Sequence, residues 1–204
     1  MQRFVLRRNI QRYQELLGRE TDAAKRQTMA RLLIAAERDL AMMDATTEGV
    51  EPQAAFRSRT FSAEAARCIA EFEQRYAPSG KLYLLLDPGP GLPILDASDA
   101  YATATMTVRS EMRGRPLFEV FPDNPADPMA DGVANLYASL RTAAQTRRPH
   151  VMPIQRYDVR DGTGTFVERH WRPTNSPMLD GEGRLGALLH YVEDVTQEVR
   201  ARSP

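Results

Sequence analysis

The feature that most constrains the fold is a pair of long apolar strands near the end of the chain, joined by a tight turn. The turn is Asp180-Gly181-Glu182-Gly183, where the glycines can supply the positive φ that a hairpin needs and the aspartate can bond its own backbone. Alternate positions of the second strand form two largely apolar faces: Leu185, Ala187, Leu189 and Tyr191 on one side, and Gly186, Leu188, His190 and Val192 on the other. A strand with one wet face would alternate cleanly, so we expect this sheet to be covered on both sides.

The start of the chain has the pattern of two amphipathic helices. The first ends where Gly18 can act as a C-cap, and Thr21 or Asp22 can cap the second. Their apolar stripes recur at helical spacing: Leu6, Ile10, Tyr13 and Leu17, then Met29, Leu32, Leu33, Ala36, Leu40 and Met43. Two helices of this size cannot bury their stripes alone, so residues 1–45 are predicted to form a helical hairpin that packs on the rest of the chain or on a second copy.

Residues 46–80 are predicted to form a linker followed by a helix that packs on the sheet. Gly49 and Pro52 interrupt any periodicity, and helical pattern returns after Ser62, a plausible N-cap. Ala65, Ile69, Phe72 and Tyr76 then share one side of the helix, which ends at Pro78-Ser79-Gly80.

Residues 81–196 show sequence patterns of both strands and helices, as expected for an α+β domain. KLYLLLD and LPILDAS read as two strands around the turn DPGPG, and short helices follow between Asp99 and Val120. A longer amphipathic helix is predicted over residues 126–145. Three strands then follow, VMPIQRYDV, TFVERHWRPTNSPML and RLGALLHYVEDVT, before a charged tail at 197–204.

This order of elements resembles the PAS family of bacterial signalling domains. The likeness rests on GRPLFEVFPDNP in the short helices, WRPTNSPMLDGEGRL through the last turn, and the closing VEDVT, which is similar to the family's usual exit signal. The resemblance implies an α+β fold with a five-stranded antiparallel sheet and flanking helices, here preceded by the helical hairpin and one more helix. It also implies a ligand cavity enclosed by the sheet and the helices, and dimerisation through an N-terminal helix packed on the sheet's outer face.

Candidate site residues follow from the resemblance and from strand parity. Trp171, Pro173 and Asn175 share the face that the resemblance makes inward, as does the face with His190 and Val192. Trp171 and His190 could therefore meet over a ligand, although a buried histidine can equally be a satisfied core residue. The cavity candidates are Trp171, His190, Phe118, Phe121, Leu136, Leu140, Ile154, Leu188 and Val192. The candidates for a dimer or partner face are Leu6, Ile10, Tyr13, Leu17, Leu32, Leu33, Leu40, Leu189 and Tyr191.

The totals exclude several classes of protein. Basic and acidic residues balance at 27 each, which argues against a nucleic-acid partner. No apolar run approaches the roughly 20 residues that a membrane helix needs, and the N-terminus lacks a signal-peptide core, so we expect a cytoplasmic protein without membrane association. The single cysteine, Cys68, cannot form an internal disulfide and fits a reducing compartment.

Cofactor chemistry finds little support in the sequence. The resemblance implies that haem, where a PAS domain binds it, is held by a histidine on or near the long helix. Haem is disfavoured here because residues 126–145 contain no histidine, while His150 and His170 are poorly placed as axial ligands. A covalent flavin adduct needs a cysteine in the short helices, where TVRSEMRGRPLF has none; non-covalent flavin or another small ligand stays open. The three histidines are far apart in sequence, and DPGPG and DGEG are explained by turn chemistry, so no metal site is expected.

The functional prediction is a sensory module, not an enzyme, that acts as a homodimer and as the input part of a histidine-kinase-type pathway. One alternative keeps the fold but drops the ligand, leaving a dimerising scaffold whose cavity is filled by Trp171, Phe118 and Phe121. A further alternative is a small cone-shaped α+β enzyme that uses His170 or His190 with Asp158 as acid and base. That enzyme needs a different order of elements.

Overall fold

The structure, a computed structural model, describes residues 1–50 and 63–202. The chain is α+β, with a main six-stranded antiparallel sheet, a separate two-stranded pair and helices on both faces of the main sheet, which confirms the predicted fold class. The helices are α1 (Gln2–Leu17), α2 (Ala23–Glu48), α3 (Ala63–Glu71), α4 (Asp99–Ala104), α5 (Arg109–Met112), α6 (Leu117–Val120), α7 (Gly132–Thr146) and α8 (Thr196–Arg202). The strands are β1 (Leu82–Leu86), β2 (Ile94–Ala97), β3 (His150–Val151), β4 (Gln155–Arg156), β5 (Val159–Arg160), β6 (Phe166–Val167), β7 (His170–Leu179) and β8 (Leu185–Asp194).

The closing hairpin forms with one irregularity. Asp180 Oδ1 accepts hydrogen bonds from the backbone N–H groups of Glu182 and Arg184, both at 2.8 Å. Only Gly183 has the positive φ expected in this turn, at 77°. The pairing shifts by one residue between Met178 and Leu179, a β-bulge that turns Leu185 to the inner face, opposite to its predicted side.

Six of the described strands form one sheet in the order β2-β1-β8-β7-β3, with β4 also paired to β7. The strand predicted over VMPIQRYDV is therefore broken into the short pieces β3 and β4. Pro153 lies between them and has no N–H to donate to the ladder, which gives the physical reason for the break. The next two pieces, β5 and β6, pair only with each other.

The inner face of the sheet packs against α4 to α7 in one continuous core. Leu84, Leu86, Leu188 and Val192 from the central strands meet Leu140 of α7 there. Ala41 and Ala45 of α2 belong to the same core, so the end of the N-terminal hairpin is built into the domain.

The opposite, rear face of the sheet is covered by α3 and the turns that continue it, a π-helical turn (Phe72–Tyr76) and a 3-10 turn (Ala77–Ser79). Phe72 is fully buried at the centre of this second core, against Leu85 and Leu189. Because α3 of the same chain covers Leu189, that residue does not lie on a free partner face as predicted.

The N-terminal hairpin takes a different position. α1 packs on α2, and α2 packs on α7, on the helical side of the domain. The side chain of Arg3 bridges the two helices, with its Nε 2.6 Å from Asp44 Oδ1. Asp22 caps α2 by accepting from the backbone N–H of Lys25, whereas Gly18 closes α1 in a right-handed conformation with φ −68°.

The C-terminal end of α2 is fastened to the β1–β2 loop. Gly49 has φ 64°, and a Cβ atom there would lie 2.3 Å from the carbonyl oxygen of Gly89. The Val50 N–H donates to Pro88, and the Tyr137 hydroxyl of α7 donates to the Gly49 carbonyl at 2.9 Å. Since α2 continues to Glu48, the linker begins later than residue 46; its remainder and the predicted Ser62 cap lie outside the described residues.

Among the helices that the structure describes, none combines the length and apolar character required to cross a lipid bilayer.

Candidate ligand cavity

A small cavity of about 50 Å³ lies between the inner face of the sheet and the helices. Its wall is largely apolar and has an aromatic part, formed by Tyr101 on α4, Phe121 after α6, Tyr157 after β4 and Trp171 on β7. The lining includes only a few polar side chains, those of Thr105, Gln155 and His190 together with the tyrosine hydroxyls.

The aromatic wall is held in place by hydrogen bonds to the backbone. Trp171 Nε1 donates to the Tyr157 carbonyl at 2.9 Å, and the Tyr157 hydroxyl donates to the Phe121 carbonyl. Gly132, at the start of α7, leaves the space that the Tyr157 ring occupies, because a Cβ atom there would lie 2.0 Å from the ring. The indole N–H of Trp171 is therefore already hydrogen-bonded within the protein.

His190 begins a chain of buried hydrogen bonds that runs from the cavity toward the surface. Its Nδ1 lies 2.7 Å from Oδ1 of the fully buried Asn175, whose Nδ2 lies 2.7 Å from Ser139 Oγ. Ser139 Oγ in turn lies 2.7 Å from Nδ1 of His150, which is half-buried on β3. Burial lowers the pKa of His190 to about 4, so its ring is neutral at pH 7.

The structure brings together most of the predicted cavity residues. Trp171, His190, Phe121, Leu136 and Val192 line the cavity itself. Phe118, Leu140 and Leu188 are buried in the surrounding core without lining it. Ile154 is corrected: it follows Pro153 in the break between β3 and β4, and its side chain is 39% exposed.

Sequence reasoning missed several residues that build the site. Tyr101 and Tyr157 contribute two of the four aromatic walls, yet both lie in short or irregular segments without periodicity. Ser139 was missed as well, although its place three residues after Leu136 on α7 puts it on the inward side. Asn175 was assigned to the inward face, but its partners belong to elements distant in sequence.

A second buried polar cluster lies away from the cavity. Asp96 on β2 is fully buried and accepts paired hydrogen bonds from Arg109 and Arg113, with distances of 2.5 to 2.9 Å. Burial would raise the pKa of Asp96, but the hydrogen bonds from the two arginines outweigh it and hold the pKa below its usual value. This cluster ties β2 to α5 and has a structural role.

Seven of the predicted partner-face residues lie on the N-terminal hairpin, and the other two, Leu189 and Tyr191, lie on β8. Leu6, Ile10, Tyr13, Leu17, Leu33 and Leu40 are half-buried, and Leu32 is 46% exposed. Tyr191 is half-buried on the rear face and packs against Tyr83 at 5.0 Å between ring centroids. On the hairpin, the further large apolar residues that are exposed, and that sequence reasoning did not single out, are Met1, Phe4, Val5, Leu16 and Met42.

The residues present do not fit haem or flavin. Pockets for ligands of ordinary drug size occupy about 300–1,000 Å³, several times the volume here. Cys68 lies in the rear core against Phe72, across the sheet from the cavity, and cannot reach a molecule bound there. Across residues 1–50 and 63–202, no three His, Cys, Asp or Glu side chains are grouped so that they could hold a metal ion.

Comparison with known proteins agrees with this architecture. A family model described as PAS fold matches residues 83–200, and none of the curated proteins matches the chain. The solved structure of an RsLOV variant is 15% identical, with a TM-score of 0.50, and the match covers 63% of this chain and 68% of that one. The PAS domain of BvgS from Bordetella pertussis is 16% identical, covering 66% of this chain and 91% of that one at a TM-score of 0.49.

A PAS domain from Colwellia psychrerythraea is 11% identical, covering 64% of this chain and 98% of that one, with a TM-score of 0.46. Similarity at these identities concerns the fold alone. The family model, however, spans more than half of the 204 residues. This chain therefore belongs to the PAS family, whose members are in general sensory and signalling modules.

Proposed function

We propose that this protein is a sensory module that binds a small ligand in its inner cavity and relays the change to a signalling partner through its helices. The observation that carries the proposal is the cavity itself, in which neutral, buried His190 faces an aromatic wall. A wall that is apolar apart from a few fixed polar groups is typical of small-molecule sites. A histidine-kinase-type protein is the partner class that we infer from the family.

A path from the cavity to the N-terminal hairpin supports the relay. Leu136 of α7 lines the cavity, and the neighbouring Tyr137 donates a hydrogen bond to Gly49 at the end of α2. A ligand that packs on α7 can therefore change the position of α2. It does so only to the extent that it binds two arrangements of these helices with different affinity.

Exposed apolar residues on the hairpin support a homodimer. Phe4 is 67% exposed on α1 and Leu32 is 46% exposed on α2, and a second copy of the hairpin would cover them. Sedimentation of the purified protein measures this directly. Leu32→Asp is expected to weaken the dimer, whereas Leu179→Asp, at an exposed position on the distant β7–β8 hairpin, leaves it intact; equal dimerisation of both variants contradicts the assignment.

Native mass spectrometry of the gently purified protein tests ligand binding. The wild type should carry an additional small mass, which His190→Phe and Trp171→Phe should both lose. Val151→Ala is the matched control, because Val151 is 66% exposed on β3 and does not line the cavity. A wild type that carries no bound mass and also binds no added small molecule, or variants that retain the mass, would refute the ligand-binding proposal.

A ligand-free scaffold is the second candidate function, and the small volume of the cavity favours it. Trp171 and Phe121 fill much of the space that a larger ligand would occupy. In that case the same spectra show an empty dimer, and Trp171→Phe lowers stability without changing any bound mass.

A further inference from the structure

The buried hydrogen-bond chain determines which atom His190 offers to the cavity. Asn175 Nδ2 lies near two acceptors, Ser139 Oγ at 2.7 Å and the sulfur of Met152 at 3.5 Å. With the amide nitrogen on this side both atoms can accept from it, whereas the amide oxygen would meet a sulfur that cannot donate, so the nitrogen faces Ser139 and Met152 and Oδ1 faces His190. Oδ1 can only accept, so the proton on the His190 ring lies on Nδ1.

The other ring nitrogen of His190 is then an acceptor. In a neutral imidazole with its proton on Nδ1, Nε2 carries the free electron pair. Nε2 has no hydrogen-bond partner within the described protein, while the ring borders the cavity. Nε2 is not one of the fully enclosed polar atoms without a partner among the described residues, so a molecule in the cavity can reach it, and a bound hydrogen-bond donor would satisfy this acceptor.

The chain continues outward with consistent direction. Ser139 Oγ accepts from Asn175, and its own proton is free to point to Nδ1 of His150. Each donor thus points away from the cavity, and hydrogen bonds arranged in series polarise one another. A donor placed on His190 Nε2 strengthens the same arrangement, so the chain favours donors over acceptors.

Charge and size narrow the ligand further. None of the described side chains lining the cavity is charged. A charged ligand would therefore have no opposite charge to pair with, and the cavity favours an uncharged one. A cavity of about 150 Å³ is known to take benzene and xenon, and this one measures about 50 Å³. The ligand must therefore have only a few non-hydrogen atoms unless the wall moves.

We infer that the cavity selects a compact, uncharged molecule with an apolar body and one hydrogen-bond donor, such as a short alcohol, which donates to His190 Nε2. This inference rests on the proposed sensory function, because it defines the ligand class of the same cavity. Ser139 and Asn175 are positioning residues that set the preference without contacting the ligand.

The test compares 2-propanol with acetone, two molecules of equal heavy-atom number of which only the alcohol donates. Titration is followed by the side-chain ¹⁵N resonances of His190 and the indole N–H of Trp171. The wild type should bind 2-propanol about tenfold more tightly than acetone, the factor expected for one net hydrogen bond. Binding should shift the Nε2 resonance while Nδ1 keeps its proton.

Ser139→Ala distinguishes positioning from packing. Without the Ser139 hydroxyl the Asn175 amide can turn over, so the His190 proton can move to Nε2 and the tenfold preference should fall toward unity. Thr142→Ala is the matched control, because Thr142 lies on the same helix and bonds only its own backbone. Xenon, which neither donates nor accepts, should bind wild type and Ser139→Ala equally and thereby shows that the cavity persists in the variant.

Several results would overturn the inference. Acetone binding as tightly as 2-propanol, a proton observed on Nε2 in the wild type, or an unchanged preference in Ser139→Ala each contradicts it. If native mass spectrometry finds a larger or charged ligand while 2-propanol does not bind, the sensory function stands and the ligand class is wrong. If 2-propanol binds with the expected preference but the purified protein carries nothing and its helices do not respond, the sensory function fails and the selectivity stands.

Discussion

Acidification should destabilise this protein through one buried side chain, His190. Its folded-state pKa is lowered by burial from the ordinary 6.5 to about 4. In the unfolded chain the same ring is in water and binds its proton near pH 6.5. Between these two values the unfolded state holds more protons than the folded state, so the free energy of unfolding must fall as the pH falls.

The size of the effect follows from the two pKa values. Linkage gives a loss of about 2 kcal/mol between pH 7.5 and pH 5, and about 3 kcal/mol once the pH has passed below the folded pKa. The ring is only 5% exposed, so solvent does little to reduce the penalty for charging it. A loss of this size is a large fraction of the stability of a typical domain.

Urea unfolding at pH 7.5 and pH 5 measures the effect, with fluorescence of Trp171, the single tryptophan, as the signal. His190→Asn is the reference, because it keeps a donor toward Asn175 but does not titrate. Its smaller side chain lowers the free energy of unfolding at every pH, so this cost cancels when the change between pH 7.5 and pH 5 is compared with that of the wild type. The contributions of the other two histidines and of all carboxylates cancel in the same way. If the wild type loses no more stability than His190→Asn over this range, His190 is not buried and neutral as described.

Three further predictions concern the packing of the fold, each read from the free energy of unfolding in urea. Phe72→Ala should cost about 3–5 kcal/mol because it empties the centre of the rear core, whereas Val151→Ala, at a 66% exposed position away from the hairpin, should be nearly neutral; similar losses would contradict this. Gly49→Ala should destabilise far more than Gly80→Ala, since both have positive φ but only Gly49 abuts another backbone, and equal effects would remove the role of the close approach. Asp96→Asn should cost about 2 kcal/mol, because it removes the negative charge that pairs with Arg109 and Arg113. An unchanged free energy of unfolding would show that these two ion pairs do not stabilise the fold.

The sequence was sufficient to predict the fold because its strongest local signals agree with one another. The two-faced pattern of β8 required a cover on the rear of the sheet, and the stripe with Phe72 and Tyr76 supplies part of it. The last turn forms around Asp180 because its side chain accepts hydrogen bonds from two backbone N–H groups of the turn. The residue types of the turn predicted this without any periodic pattern.

The details that the sequence did not reveal depend on partners distant along the chain. The bulge opposite Met178 reverses the side of Leu185, and one residue of register is invisible in an alternating pattern. The cavity chain joins His190, Asn175, Ser139 and His150 from four different elements. Hydrogen bonds of this kind are set by tertiary geometry, so residue type alone marks none of them as a member.

The position of the N-terminal hairpin changes how a signal could leave the cavity. The family resemblance offered the helices upstream of Lys81 as the cover on the outer face of the sheet; α3, predicted to pack there, covers that face, and α2 packs on α7 instead. Ser139 and Tyr137 are two residues apart on α7, one joined to the cavity chain and the other to the end of α2. A shift of α7 therefore acts on both contacts together, because a helix of 15 residues moves as a rigid element. For the proposed relay, the helical side of the domain, rather than the sheet, would be the shorter connection between the cavity and the hairpin.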